Sequence, residues 1–520
     1  MAWRYRPELD GLRALAVISL ILFHADVAGW ANTYIGVDLF FVLSGFLVTN
    51  VVLTEFDENG RFRLGRFYAR RVRRLLPAAV VAILATSVVW VLFFSEPERM
   101  GLARHAQAAL LYVANWQFIA EQGDYFAGAM RDSPFMHYWS LSIEEQFYIL
   151  FPLLILAVFR FFPRNRRALL LTFVALAALS VWSQLYWGQA DPGRAYYATD
   201  ARAFQLLAGA IAALVLRGRT RTGRRVLPRP EPRSLTWLAA AVLAAYLILG
   251  SELLTMTTSH RNLAATVVST ALVVVVYLAD GSPVGRLLAV PGVVYLGKIS
   301  YGTYLWHWPT ILVLQEILDV RPLVIAVLAG ALATGVAALS YELLETPIRR
   351  NPRLDGFAWR AVGAGLSVSV LAAAFLVSPV LNSSRTPAVT SAGTGDAGVS
   401  AEVAEALDQP VPDIDFDAVA KDRGTAGGTC TPDDLESCRR VEGSGPHVVL
   451  VGDSQARAMV PAFTRLAEER DWTLSTSVVM ACPWQQGSTA PNRARTCAAT
   501  VARTSTRRPC PRWSRTWWSS

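Results

Sequence analysis

Arg13 and His24 are the two side chains here whose type and position most invite chemistry. Both lie in one apolar stretch, Tyr5 to His24 (YRPELDGLRALAVISLILFH), long enough to cross a bilayer. Ionisable groups in hydrocarbon are costly and mark pathways or active sites. On a helix the pair is separated by about 16 Å and three turns, hence on nearly the same face. One helix can then hold a cation near a membrane surface and an imidazole deep in a bundle. The alternative is a snorkelling Arg beside a hydrogen-bonded His.

Other polar groups recur where hydrocarbon is expected. Asp38 stands in Gly36-Val-Asp38-Leu-Phe-Phe-Val-Leu-Ser44-Gly45 and needs a partner, whereas Ser44 and Gly45 suit close helix packing. Glu144 and Glu145 open an apolar run in WSLSIEEQFY, where one could favour the helix N-terminus. Neighbours on a helix point about 100° apart, so the two are not expected to serve one face. The run Phe67 to Pro77 (FYARRVRRLLP) contains Arg70, Arg71, Arg73 and Arg74. It is either a topology signal or a phosphate clamp, because guanidinium forks bind phosphate oxygens bidentately. His307, in the run from Tyr301 to Pro309 (YGTYLWHWP), reads as a packed, hydrogen-bonded histidine. Glu345, before Thr346-Pro347-Ile348-Arg349, has arginines nearby to pair with.

Membrane helices must position these groups. The chain is 53% hydrophobic and 17% charged, against about 25% charged for a soluble domain. Apolar runs near 10–28, 35–54, 77–95, 139–161, 168–187, 201–217, 235–250, 263–279, 298–317, 321–343 and 360–380 predict ten or eleven spans. The run 104–120 predicts a single interfacial or partly buried helix. The formal charge of +9 sits in short Arg-rich loops (61–74, 160–167, 217–233 and 347–353). It forms no basic stripe with interleaved aromatics, so nucleic-acid binding is excluded. With eleven spans these loops share one side, which places the N-terminus in the cytoplasm of a multi-pass cell-membrane protein and the C-terminal segment outside. No cleavable signal peptide is read, because the first apolar segment lacks a small-residue cleavage site.

The segment 381–445 reads as a flexible extracytoplasmic linker. His447 to Asp453 (HVVLVGD) reads as a buried strand and Ser454 to Arg470 as a helix, the opening of an α/β unit. All five cysteines follow residue 429. Cys430 and Cys438 are a candidate disulfide if they lie outside the cytoplasm. From about Pro491 the sequence is rich in Arg, Thr and Trp without aliphatic periodicity, as out-of-frame translation would be.

In order along residues 5–380, LDGLRALAV, GVDLFFVLSGFL, FYARRVRRLLP, WSLSIEEQFY, YGTYLWHWP and YELLETPIR resemble the acyltransferase-3 family of integral-membrane O-acyltransferases. That resemblance implies an α-helical polytopic bundle (1–380) that uses cytoplasmic acyl-CoA, usually acetyl-CoA, on a glycan at the outer face, without a metal. Peptidoglycan, a surface polysaccharide or a glycolipid would serve as acceptor. Arg13 and His24 match the family's functional pair, Arg71 and Arg74 its Arg-x-x-Arg element, and Glu345 its Glu before Pro-Ile-Arg. The implied scheme has Arg71 and Arg74, with Arg70 and Tyr301 beside them, hold the donor. His24 acts as base or acyl acceptor, and Glu144 or Glu145 orients it or relays a proton; Asp38 joins the same polar set.

Gly452-Asp453-Ser454 resembles the first block of SGNH-type acyltransferases, with Ser454 as nucleophile, although Gln455 stands where many fused relatives carry His. No His follows His447. The unit 446–520 is therefore expected to be an incomplete SGNH-like domain without a competent triad, poorly ordered beyond its first strand and helix. Acyl transfer would then be direct or use a separate SGNH partner. The competing reading is a multi-span transporter or flippase of an envelope precursor, against which stands the lack of repeated halves.

Overall fold

The computed structural model describes residues 5–94, 99, 101–121, 133–221, 232–279, 281–350, 358–383, 439–452 and 454–478. The chain divides into two units, 1–394 and 395–520.

The first unit is helical. Its elements are α1 (Pro7–His24), α2 (Gly36–Asn59), α3 (Leu64–Phe93), α4 (Leu102–Leu110), α5 (Ala114–Ala120), α6 (Tyr138–Phe161), α7 (Arg166–Ala190), α8 (Pro192–Tyr197) and α9 (Thr199–Arg221). They continue as α10 (Pro232–Gly250), α11 (Thr258–Leu278), α12 (Pro283–Leu288), α13 (Pro291–Ile317), α14 (Pro322–Ser340), α15 (Thr346–Arg350), α16 (Ala358–Leu371) and α17 (Ser378–Leu381). A π-helical turn, Tyr341–Glu345, joins α14 to α15, and a second, Ala372–Val377, joins α16 to α17.

Each predicted apolar run falls on a helix. Among the described residues, eight helices are long and apolar enough to cross a membrane. They are α2, α3, α6, α7, α9, α11 and the continuous rods begun by α14 and α16. Of the others, α10 is short, while α1 carries Glu8, Asp10 and Arg13, and α13 carries Lys298 and Glu316. The less apolar helices thus include two that carry candidate site residues. The run 104–120 forms α4 and α5 rather than one helix. The break is at Tyr112, which turns the chain through a left-handed conformation (φ 55°).

Burial orders the bundle. The apolar window of α2 is 78% buried, against 28% for α7 and for the rods of α14 and α16. Apolar side chains gain little by meeting each other instead of lipid, so close helix contact depends on small residues. Gly297 of α13 lies against the Asp10 backbone of α1, and a Cβ there would overlap the Asp10 carbonyl. Gly45 of α2 faces the Leu206 backbone of α9, and Gly209 of α9 faces Val42 of α2. These contacts clamp α1 to α13 and α2 to α9.

In the second unit, β2 (His447–Gly452) leads to α18 (Ser454–Arg470) and β3 (Thr473–Val478), which pairs parallel to β2 from His447↔Thr473 to Gly452↔Val478. A short strand β1 (Arg439–Val441) adds antiparallel to β3, giving the order β1-β3-β2. Regular structure thus extends one strand beyond the expected strand and helix, because β2 needs a partner for its backbone groups. The cysteines and the Arg-rich tail lie outside the described residues.

Replacing Gly297 or Gly209 by Leu should push the clamped helices apart, at about 1–3 kcal/mol for overpacking. The expected result is a lower thermal midpoint in detergent, with the lipid-facing control Gly335→Leu unchanged. Equal midpoints would show that these close approaches are not limiting.

Candidate active site

A partly open cavity lies inside the first unit. Its wall brings together Arg13 of α1, Arg71 and Arg74 of α3, Glu144, Glu145 and Tyr148 of α6, and Ser300, Tyr301 and Tyr304 of α13. Four helices distant in sequence therefore converge on three guanidinium groups and two carboxyl groups. Arg13 Nε donates to Ser300 Oγ at 3.3 Å. Arg71 lies over the Tyr148 ring, 3.8 Å from its centroid, an orientation that suits a cation and an aromatic face. The Tyr301 hydroxyl donates to the Leu75 carbonyl at 3.0 Å, tying α13 to α3 beside Arg74. Glu144 accepts from both Ser44 and Tyr148. Glu144 and Glu145 both line the cavity, against the expectation from their angular separation, because Ser140, Leu141, Glu144, Glu145 and Tyr148 form one broad face of α6 on which the two carboxyl groups stand side by side.

Beyond the cavity floor is a row of buried histidines. Tyr304 lines the cavity, and its ring lies 5.0 Å from that of His307. The Tyr304 hydroxyl donates to the His137 carbonyl at 3.0 Å and accepts from Ser140 at 2.7 Å. His24, the last residue of α1, is 3% exposed and pairs through Nδ1 with His307 Nε2 at 2.7 Å. His307 Nδ1 meets the Tyr304 carbonyl at 2.6 Å. A carbonyl only accepts, so His307 Nδ1 carries the proton and its Nε2 accepts from His24 Nδ1–H. This assignment leaves the lone pair of His24 on Nε2, the form a base or an acyl acceptor requires. His307 is thus hydrogen-bonded, as expected, and its partner is His24.

His137 is a residue that sequence reading passed over. Pro309 has no N–H, so the Leu305 carbonyl four residues earlier loses its helical donor. His137 Nε2 donates to that carbonyl at 3.1 Å. The signal was present as a proline inside a helix beside a buried polar run, but the partner comes from a segment 168 residues away.

The remaining candidates separate from the cavity. Asp38 is fully buried and accepts from Gln205, with Arg202 Nη2 at 3.9 Å. Arg202 is itself fully buried between the rings of Trp139 (5.5 Å) and Tyr196 (5.2 Å), and its nitrogens make no hydrogen bond among the described residues. Asp38 thus belongs to an ion pair between α2 and α9. Arg70 does not line the cavity; it is exposed and faces Glu55 at 3.6 Å. Glu345 is buried in the π-helical turn, within electrostatic reach of Arg74 and Arg349. Ser454 begins α18 in the second unit. Among the described residues no group of three or more His, Cys, Asp or Glu is placed to hold a metal ion.

Arg202→Met should strand the Asp38 carboxylate and cost about 3–5 kcal/mol, as when one partner of a buried pair is removed. The Asp38→Asn, Arg202→Met double variant should recover part of the lost thermal midpoint. Additive losses would show that the two groups are not coupled.

Residues 6–342 match the family described as "Acyltransferase domain" (acyltransferase-3), and residues 423–509 match "SGNH domain (fused to AT3 domains)". The second match runs past position 491, into the Arg-rich tail. The chain is 36% identical over 361 residues to "Peptidoglycan O-acetyltransferase OatA" of Listeria monocytogenes, covering 68% of this chain and 57% of that protein. It is 31% identical over 354 residues to "O-acetyltransferase OatA" of Staphylococcus aureus, covering 67% and 58%. The alignments thus span less than three fifths of these relatives' length. No solved structure matches. With well over half of its length matched to one family, this chain belongs to the acyltransferase-3 family and carries a C-terminal SGNH domain.

Proposed function

We propose that this protein is a membrane O-acyltransferase that moves an acyl group, usually acetyl, from cytoplasmic acyl-CoA to hydroxyls of an exported envelope glycan. Peptidoglycan is the acceptor that the name of the Listeria monocytogenes relative suggests. The observation that carries this reading is that the histidine row packs directly against the cavity wall. Arg13, Arg71 and Arg74 share the cavity, and His307 and His24 stand directly behind its Tyr304 wall.

Arg71 and Arg74 hold the donor's phosphates through charge-assisted hydrogen bonds. Arg13 and Ser300 line the way inward. Glu144 and Glu145 offset the positive charge of the three guanidinium groups, and Glu144 holds Tyr148 and Ser44 in place. His24 Nε2 takes the proton of the attacking hydroxyl, or takes the acyl group itself, while His307 fixes its tautomer. The Arg-rich loops support a cytoplasmic N-terminus and an inner-face opening for the donor, with an extracytoplasmic SGNH unit; with no competent triad expected around Ser454, transfer to the glycan is direct or uses a separate SGNH partner. As domains we assign the membrane unit to 1–380, the linker to 381–445 and the SGNH-like unit to 446–520.

In membranes given acetyl-CoA labelled in the acetyl group, His24→Ala should lower turnover at least about 100-fold, the usual worth of a positioned base. Donor binding should stay within about threefold. Arg71→Ala and Arg74→Ala should each weaken donor binding about tenfold, as expected for a lost charge-assisted contact. Full activity of His24→Ala would sink the assignment, and movement of a separately labelled glycan precursor across the membrane with no acetyl label transferred to it would favour a flippase.

A further inference from the structure

A second chain of polar groups lies outside the cavity. His105, on α4, is 8% exposed, and its ring meets Phe118 edge-on at 5.1 Å, which fixes its plane. His105 Nε2 faces Glu121 Oε2 at 2.7 Å, and Nδ1 faces Ser133 Oγ at 2.9 Å. The other Glu121 oxygen accepts from Gln117 Nε2 at 2.8 Å. A carboxylate only accepts, so Nε2 carries the imidazole proton and Nδ1 presents its lone pair to the serine hydroxyl. Burial raises the Glu121 carboxyl, but the hydrogen bonds from His105 and Gln117 help to outweigh it, and the group sits below its ordinary value.

The serine is held as firmly as the histidine. Its carbonyl accepts from Trp308 Nε1 at 2.8 Å and from the Met136 N–H at 3.1 Å. Trp308 also packs on His24, with ring centroids 4.8 Å apart. Ser133 is therefore one side chain away from the residue assigned to acyl transfer. Its hydroxyl is buried (4% exposed), whereas the Glu121 side chain at the far end of the chain is 26% exposed.

A nucleophile within hydrogen-bond reach of a base, itself oriented by a third group, is the arrangement that activates serine for acyl transfer. The geometry points to Ser133, His105 and Glu121 as a second catalytic centre, a serine nucleophile that accepts an acyl group from a thioester beside His24. The imidazole is used in the reverse sense from the common triad, with Nδ1 toward serine, and either ring nitrogen can take the proton. In the first half-reaction Ser133 Oγ bonds to the acyl carbon and the C–S bond breaks. The Oγ proton passes to His105 Nδ1, and the thiolate leaves with the electron pair and is protonated by His105. In the second, a glycan hydroxyl or water attacks the ester carbon and gives its proton to His105. The C–Oγ bond then breaks, and Ser133 regains that proton.

The acyl donor rests on the function proposed above; the triad itself does not, and two probes separate them. The full chain is treated with diisopropyl fluorophosphate, which needs only an activated serine, and separately with acetyl-CoA labelled in the acetyl group. Peptides carrying Ser133 and Ser454 are then resolved by mass spectrometry. The expected result is a Ser133 adduct with both reagents, absent in Ser133→Ala and formed at least 100-fold more slowly in His105→Gln. A fluorophosphate adduct alone supports the triad while counting against the thioester donor, and an acetyl adduct alone supports both. Absence of both adducts from Ser133 in the folded wild-type protein overturns the proposal and leaves a structural hydrogen-bond network.

Discussion

A polar group placed in hydrocarbon has no water to fall back on, so its partner must come from another part of the chain. The rest of this bundle follows from that constraint. Pro309 removes a donor from α13, and His137 supplies it. Tyr304 then reaches the His137 carbonyl, and its own carbonyl accepts from His307, which leaves His307 Nε2 for His24. The Tyr304 carbonyl settles the tautomer of His307, and His307 in turn settles that of His24 at the tip of α1.

The same constraint distributes charge. Arg13, Arg71 and Arg74 would repel one another in a dry core. They instead line an open cavity together with Glu144 and Glu145, where solvent or an anionic ligand can reach them. Asp38 and Arg202, with no such opening, are buried as a pair, with Arg202 against two aromatic rings. The two clusters look alike in sequence, since each is a charge in an apolar run. What separates them is access, and access suits one to ligands and the other to holding α2 against α9.

Glycine contacts set how closely these groups approach. Gly297 lets α1 and α13 run backbone to backbone, so that Arg13 meets Ser300 and His24 meets His307 on the same helix pair. A larger residue there would separate the two helices and lengthen both contacts together. The structural and chemical roles of α1 are in this sense one feature.

Much of this was legible in the chain itself. Every apolar run became a helix, because hydrophobic length and the need to satisfy backbone groups leave few alternatives in lipid. Arg13 and His24 stood out because their helix should have been free of charge, and helical periodicity alone put them on one face. The strand His447–Gly452 and the helix after it followed from local pattern, and membership in a family followed from motifs in order. What remained hidden was pairing. That Glu144 and Glu145 share a cavity, that Arg70 points away to Glu55, that Asp38 meets Arg202, and that His307 and His137 complete the row behind His24 all depend on contacts across tens to hundreds of residues. Sequence determines which groups are out of place in a membrane; only packing decides which of them meet, because a hydrogen bond depends on position to a fraction of an ångström and periodicity fixes only direction.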